Sequence, residues 1–144
     1  MSEEVLVNEL IECYRNMVAI ISDDKLKRLR TRARDAPTQI FTRGLPQTLI
    51  LFAARSKLDV VQKALVKSSC KDLLSDIDSV SGEKFGYTAY LSILLYLAKK
   101  LGLDIGNSFE EILKKSVDNP ILEKEFYIIA EWIKRFSEAY LPES

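Results

Sequence analysis

Apolar residues in this chain recur three and four positions apart in segment after segment, and nowhere do they alternate over a useful length. That rhythm puts them on one stripe of an α-helix. Val5, Leu6, Leu10, Cys13, Met17, Ile20 and Ile21 keep it, with Ser2 as a cap and Glu3 and Glu4 as first-turn acids, so a helix is predicted over 3–21. "SDD", Ser22 to Asp24, breaks the chain and caps a second helix whose stripe is Leu26, Leu29, Ala33, Ala36 and Ile40. Pro37 lies inside that stripe, and with Asp35 available as a cap a kink or short break is expected there. Gly44 closes the segment, and Pro46 suits the first turn of a strongly apolar helix from Pro46 to Arg55.

Further along, one amphipathic helix is expected through 58–77, then a loop from Ser79 to Gly86 and a buried helix from Tyr87 to Leu101. A short helix, "SFEEILKKSV", has Ser108 and Glu111 at the spacing of a capping box. After "DNP" a last helix runs from Ile121 to Leu141, with Phe126, Ile129, Ala130, Ile133, Phe136 and Tyr140 on one face. Trp132 and Phe136 read as core residues. The fold expected is all-α: a compact single-domain helical bundle of five to seven helices, with residues 1–144 as one domain.

At 144 residues the chain is long enough to bury a core without a metal or a cross-link. Its two cysteines, Cys13 and Cys70, read as reduced, core-facing thiols of a cytosolic protein, a disulfide being the alternative for a hyperthermophile source. The N-terminus "MSEEVLVNEL" is acidic, where a secretory signal needs positive charge. The most apolar run, Tyr87 to Ala98, falls short of the about twenty residues that span a bilayer. A cytoplasmic protein with no membrane partner is expected.

The chain has no histidine, which removes Ser–His–Asp and Cys–His arrangements and histidine metal sites. Its few glycines stand singly as helix punctuation and form no phosphate-cradling loop. Acid pairs such as Glu110–Glu111 and Asp76–Asp78 read as solvated helix ends. No catalytic residue, cofactor, metal site or small-molecule substrate is expected, and the chain reads as a non-enzyme.

One stretch breaks the electrical balance. The chain as a whole is neutral, with 21 Lys plus Arg against 21 Asp plus Glu, yet "KLKRLRTRAR" holds six cations in residues 25–34 and no acid between Asp24 and Asp35. At 100° per residue Lys27, Arg30 and Arg34 fall on one flank of the helix and Arg28 and Arg32 on the other. Crowded like charges cost a few tenths of a kcal/mol per pair on one helix. An outside anion relieves that cost, and the planar fork of Arg suits phosphate. The favoured reading is a nucleic-acid backbone contact. Its rivals are an acidic protein partner, bound by a helical adaptor, and a plain solvated face. A membrane-surface helix needs a bulkier apolar face than Leu and Ala supply. A helix-turn-helix reader needs polar side chains where "PQTLILFAAR" offers Leu, Ile and Phe.

Two segments carry a resemblance. "RARDAPTQIFTRGLPQTLILFAARS", Arg32 to Ser56, resembles the central helix–Gly–Leu–helix segment of the small subunit of type III-B CRISPR effector complexes, the fifth protein of the Cmr (RAMP-module) set. "YIIAEWIKRFSEAYL", Tyr127 to Leu141, is similar to that family's C-terminal helix, through Trp132, Ile133, Lys134, Arg135, Phe136, Glu138 and Ala139. The family often carries Asn before its glycine, where this chain has Arg43. The resemblance implies a small all-helical, non-catalytic subunit of an RNA-guided antiviral ribonucleoprotein. Copies of it stack along the inner side of the complex, against the backbone subunits and the large subunit, and line the channel that holds guide RNA and target RNA. The family brings no fixed catalytic set, so the candidate RNA-binding residues come from the charge pattern: Lys25, Lys27, Arg28, Arg30, Arg32 and Arg34, with Arg43 and Arg55 beside the Gly44 turn. Residues 1–22 carry four Glu against one Arg, so a head-to-tail contact between copies would pair an acidic patch with the basic helix.

Overall fold

Local capping by a Ser or Asn side chain starts four of the eight helices among the described residues. The Ser2 hydroxyl accepts the Val5 N–H at 3.2 Å and opens α1 (Glu3–Ile20). In this computed structural model, which describes residues 2–143, α2 spans Asp23–Arg43 and α3 Leu45–Ala54. The break expected at Pro37 does not occur. Pro37 is buried with Ala33 and Ala36 on the face that α2 packs against α6 (Lys84–Lys100) and α8 (Pro120–Tyr140), and that packing outweighs one missing backbone donor. Asp35 is no cap either: its carboxylate accepts from the Gln39 side chain on the outer surface, at 3.2 Å.

Gly44 separates α2 from α3 at φ 86°, a conformation costly for any residue with a Cβ. The first free N–H of α3, that of Leu45, donates to the Glu123 carboxylate of α8 at 2.6 Å. The C-terminal end of α2 therefore meets the N-terminal end of α8, and the two helices run antiparallel.

The single helix expected through 58–77 is three pieces: α4 (Leu58–Lys63), a 3-10 turn (Ala64–Val66) and α5 (Cys70–Ile77). Lys67 is extended, and the Ser69 hydroxyl accepts the Asp72 N–H at 3.2 Å, so a new helix starts where the apolar rhythm alone ran on. Next, α6 opens at Lys84 and draws Gly86 out of the expected loop. It is buried on nearly every side, from Phe85 to Ala98 with only Tyr87 partly exposed, and packs against α1, α2, α3, α4, α5 and α8. Then α7 (Phe109–Ser116) begins on the Ser108 hydroxyl, which accepts the Glu111 N–H at 3.1 Å. Eight α-helices and no strand among the described residues make the all-α bundle that the periodicity predicts, with one helix more than the five to seven expected because 58–77 divides into α4 and α5.

The cysteines correct one expectation. Cys13 and Cys70 are fully buried and joined as a disulfide, with Cα atoms 5.2 Å apart, so neither is a reduced thiol. Cys13 sits on the buried face of α1 and Cys70 opens α5, and those two helices pack together. A cross-link closing 57 residues removes about 4 kcal/mol of chain entropy from the unfolded state. Around α1 the packing is also aromatic: Tyr14 contacts Phe136 at 5.6 Å and Tyr140 at 5.9 Å, and its hydroxyl bonds to Ser137 at 2.7 Å. Trp132 and Phe136 lie at the rim of the core, half-buried, because α8 turns Phe126, Ile129, Ala130, Ile133 and Ser137 inward instead.

Candidate nucleic-acid interface

The eight cations singled out from the sequence meet four different fates. Lys25 leaves the group. Its ammonium donates to the Asp78 carbonyl at 2.7 Å, lies 3.4 Å from the Asp78 carboxylate, and sits over the Phe85 ring. Asp78 ends α5, and the packing of α5 and α2 on α6 brings it to the first turn of α2. Arg43 leaves it too: its guanidinium donates to Gln39 at 2.6 Å, in a depression shared with the acids Asp118 and Glu123 at the far end of α2.

Lys27, Arg30 and Arg34 share one flank of α2 by helical spacing. Arg34 is exposed and shares a shallow cleft with Lys134, Thr31, Arg32, Asp35 and Glu138. Glu138 in turn pairs with Arg135 at 3.1 Å. Arg30 is half-buried, and its Nε has no hydrogen-bond partner.

Arg28, Arg32 and Arg55 converge. They line a cleft of about 620 Å³, together with Thr31, Glu83, Lys84, Gly86 and Tyr87. Three packing events put them there. Gly86 lets α6 touch α2: a Cβ at that position would stand 2.9 Å from the Arg28 carbonyl oxygen and 3.2 Å from the Arg32 side chain. Phe52 of α3 meets the Tyr87 ring edge to face, centroids 5.2 Å apart. The Lys57 N–H donates to the Thr88 hydroxyl at 2.8 Å, which pins the chain after α3 onto α6 and leaves Arg55 beside Tyr87.

Tyr87 then organises the charge. Arg32 and Arg55 both donate to its hydroxyl oxygen, Arg55 at 3.1 Å, and the Arg32 guanidinium lies over its ring at 4.6 Å. Among the described residues the salt bridges join Lys25 to Asp78, Lys67 to Asp76, Lys115 to Asp104, and Arg135 to Glu131 and Glu138. None reaches Lys27, Arg28, Arg30, Arg32, Arg34 or Arg55. Two guanidiniums on one neutral oxygen repel each other, and an anion between them removes the repulsion.

Two members of this cleft, Lys84 and Tyr87, were not among the sequence-predicted residues. Both stand more than fifty positions after Arg32, at the edge of what reads as loop and buried helix. The one available signal is Gly86 within a helix start, which marks a close backbone approach. Among the described residues, no helix is long and apolar enough to cross a membrane. No protein-family model, curated protein or solved structure matches this chain.

Proposed function

We propose that this chain is a non-catalytic small subunit of a type III-B CRISPR (Cmr) RNA-guided effector complex, lying with its basic face along guide or target RNA. The observation that carries the RNA contact is the set of cations on α2 and at the end of α3 that no carboxylate among the described residues neutralises. The membership rests on the resemblance of segments 32–56 and 127–141. The contact set is narrower than the charge pattern suggested: Arg28, Arg32, Arg34 and Arg55, joined by Lys84 and Lys134, without Lys25 and Arg43 and without the half-buried Lys27 and Arg30, which line neither cleft. Such a surface grips phosphate and does not read bases. The acidic outer face of α1, with Glu3, Glu4 and Glu12 exposed, suits a neighbouring copy's basic face. A buried disulfide is ordinarily a mark of an oxidising compartment, so the proposed cytoplasmic location requires a hyperthermophile source, where intracellular cross-links are common.

The test is purification of the chain from its native host with the associated RNA and proteins identified, paired with binding of the isolated chain to single-stranded RNA. Recovery with guide RNA and backbone subunits is expected. Weak binding should fall with salt at a log–log slope of about −0.7 per phosphate contact. The double variant Arg28→Glu/Arg32→Glu should lower RNA affinity about tenfold or more at low salt. Recovery with an acidic protein and no RNA, with no RNA binding by the isolated chain, would overturn the proposal in favour of the adaptor reading.

A further inference from the structure

We infer that the cleft between α2, the end of α3 and the start of α6 is a discrete site for one phosphoryl group, bound between Arg32 and Arg55 with Tyr87 as a third donor. The inference deepens the RNA proposal and rests on it only for the source of the phosphate in the assembled particle.

Hydrogen-bond inventory gives the first reason. The Tyr87 oxygen accepts from Arg32 and from Arg55, so its own O–H is free to donate, and it meets no acceptor among the described residues. Arg28 and Lys84 line the same cleft and add further donors. A site made almost wholly of donors is completed by a ligand made of acceptors, and two guanidinium forks with a hydroxyl between them match the oxygens of a phosphoryl group. Glu83 is the one acid lining the cleft. It is exposed at the N-terminal edge of α6 and forms no salt bridge with the arginines.

The second reason is what Tyr87 is not doing. A stacking platform offers a free ring face to a base. Here Arg32 lies over the ring and Phe52 packs against it. The ring is used to hold a guanidinium in place, so the group recognised is the phosphate and not the base. The arginines are also ordered before any ligand arrives, because Phe52 and the Gly86 contact fix the ring that orders them.

The test titrates inorganic phosphate into the isolated chain at constant ionic strength set with chloride, following the arginine Nε–H signals by NMR. Saturable one-to-one shifts confined to Arg28, Arg32 and Arg55 are expected. Tyr87→Phe keeps every charge and the ring, and should weaken phosphate about fivefold through the lost donor. Arg55→Ala should weaken it about tenfold or more. Lys124→Ala, at an exposed cation on α8 outside the cleft, should leave phosphate binding unchanged. Thermal melts confirm that each variant is folded.

Oligouridylate with and without a 5′-phosphate separates the sources. A preference for the phosphorylated strand that Tyr87→Phe abolishes assigns the site to a strand end. Equal binding of both strands, weakened alike by Tyr87→Phe, assigns it to the backbone. Shifts that never saturate, or a Tyr87→Phe protein that binds phosphate like the parent, would overturn the inference. RNA binding without a saturable phosphate site sinks this inference and leaves the RNA proposal standing. A saturable phosphate site in a chain that binds no RNA does the reverse.

Discussion

Two corners of the bundle are built by opposite means. Where α1 meets α5 and α8, contacts are closed: a disulfide, a Tyr14–Phe136–Tyr140 aromatic cluster, and a hydroxyl pair between Tyr14 and Ser137. Where α2 meets α3 and α6, the helices touch through a glycine and a tyrosine, and the four cations around them form no salt bridge among the described residues. The chain has acids enough to neutralise them. It uses carboxylates elsewhere, against Lys25, Lys67, Lys115 and Arg135. The first corner serves stability. The second keeps positive charge available at some cost to it.

The comparison can be broken hardest at the disulfide. Cys13→Ala/Cys70→Ala should lower stability by about 4 kcal/mol. On a chain of this size that is a drop of about 10–15 °C in Tm by calorimetry. Phosphate and RNA binding, measured well below the new Tm, should not change. A loss of binding at that temperature would mean that the two corners are coupled.

Gly86→Ala attacks the other corner. The new methyl meets the α2 backbone at Arg28, which cannot yield as a flexible side chain would, so a loss of about 1–3 kcal/mol is expected in denaturant unfolding. Here binding should fall as well, since α2 and α6 must part and Tyr87 moves away from Arg32. Stability lost with binding intact would show that the cleft does not depend on that contact.

Alkaline pH tests the closed corner from inside. Burial pushes the Tyr14 phenol well above its ordinary value near 10, with the Ser137 hydrogen bond opposing in part. Its folded-state pKa is raised, so the unfolded chain loses this proton first. The contribution is whole below pH 10 and is lost above it at about 1.4 kcal/mol per pH unit. Urea midpoints should be flat up to about pH 9 and fall beyond pH 10, with buried Tyr90 and Tyr96 adding in the same direction, and Tyr14→Phe should make that fall shallower without abolishing it.

The smallest effect is at Tyr90. Its hydroxyl is buried without a partner, so Tyr90→Phe removes an unpaired polar atom and should be neutral or stabilising, by less than about 1 kcal/mol. A clear destabilisation in the same unfolding assay would reveal a buried water bonded there.

The helices were legible because their signals are local. Ser2 and Ser108 cap where the pattern puts them, and Gly44 ends α2. Errors came where a distant partner decided the outcome. Pro37 interrupts a helix in isolation, but packing on α6 and α8 carries α2 through it. Cys13 and Cys70 are separated by 57 positions, and only the docking of α5 on α1 brings them to bonding range. The N-terminus of α3 is capped by Glu123, a carboxylate 78 residues later. The candidate site divides the same way. The flanks of α2 follow from helical geometry alone, which gave Arg28 with Arg32. Which flank has no counter-charge, that Asp78 reaches Lys25, and that Tyr87 stands between two arginines are all tertiary facts.

The cross-link between residues 13 and 70 has a topological result. It closes a ring of backbone that contains the whole of α2, α3 and α4. A protease that cuts once anywhere inside this ring releases no fragment until the sulfurs are reduced. The arginine-bearing helix is thus retained in a nicked molecule, and such nicking shows only as a band that splits on a reducing gel.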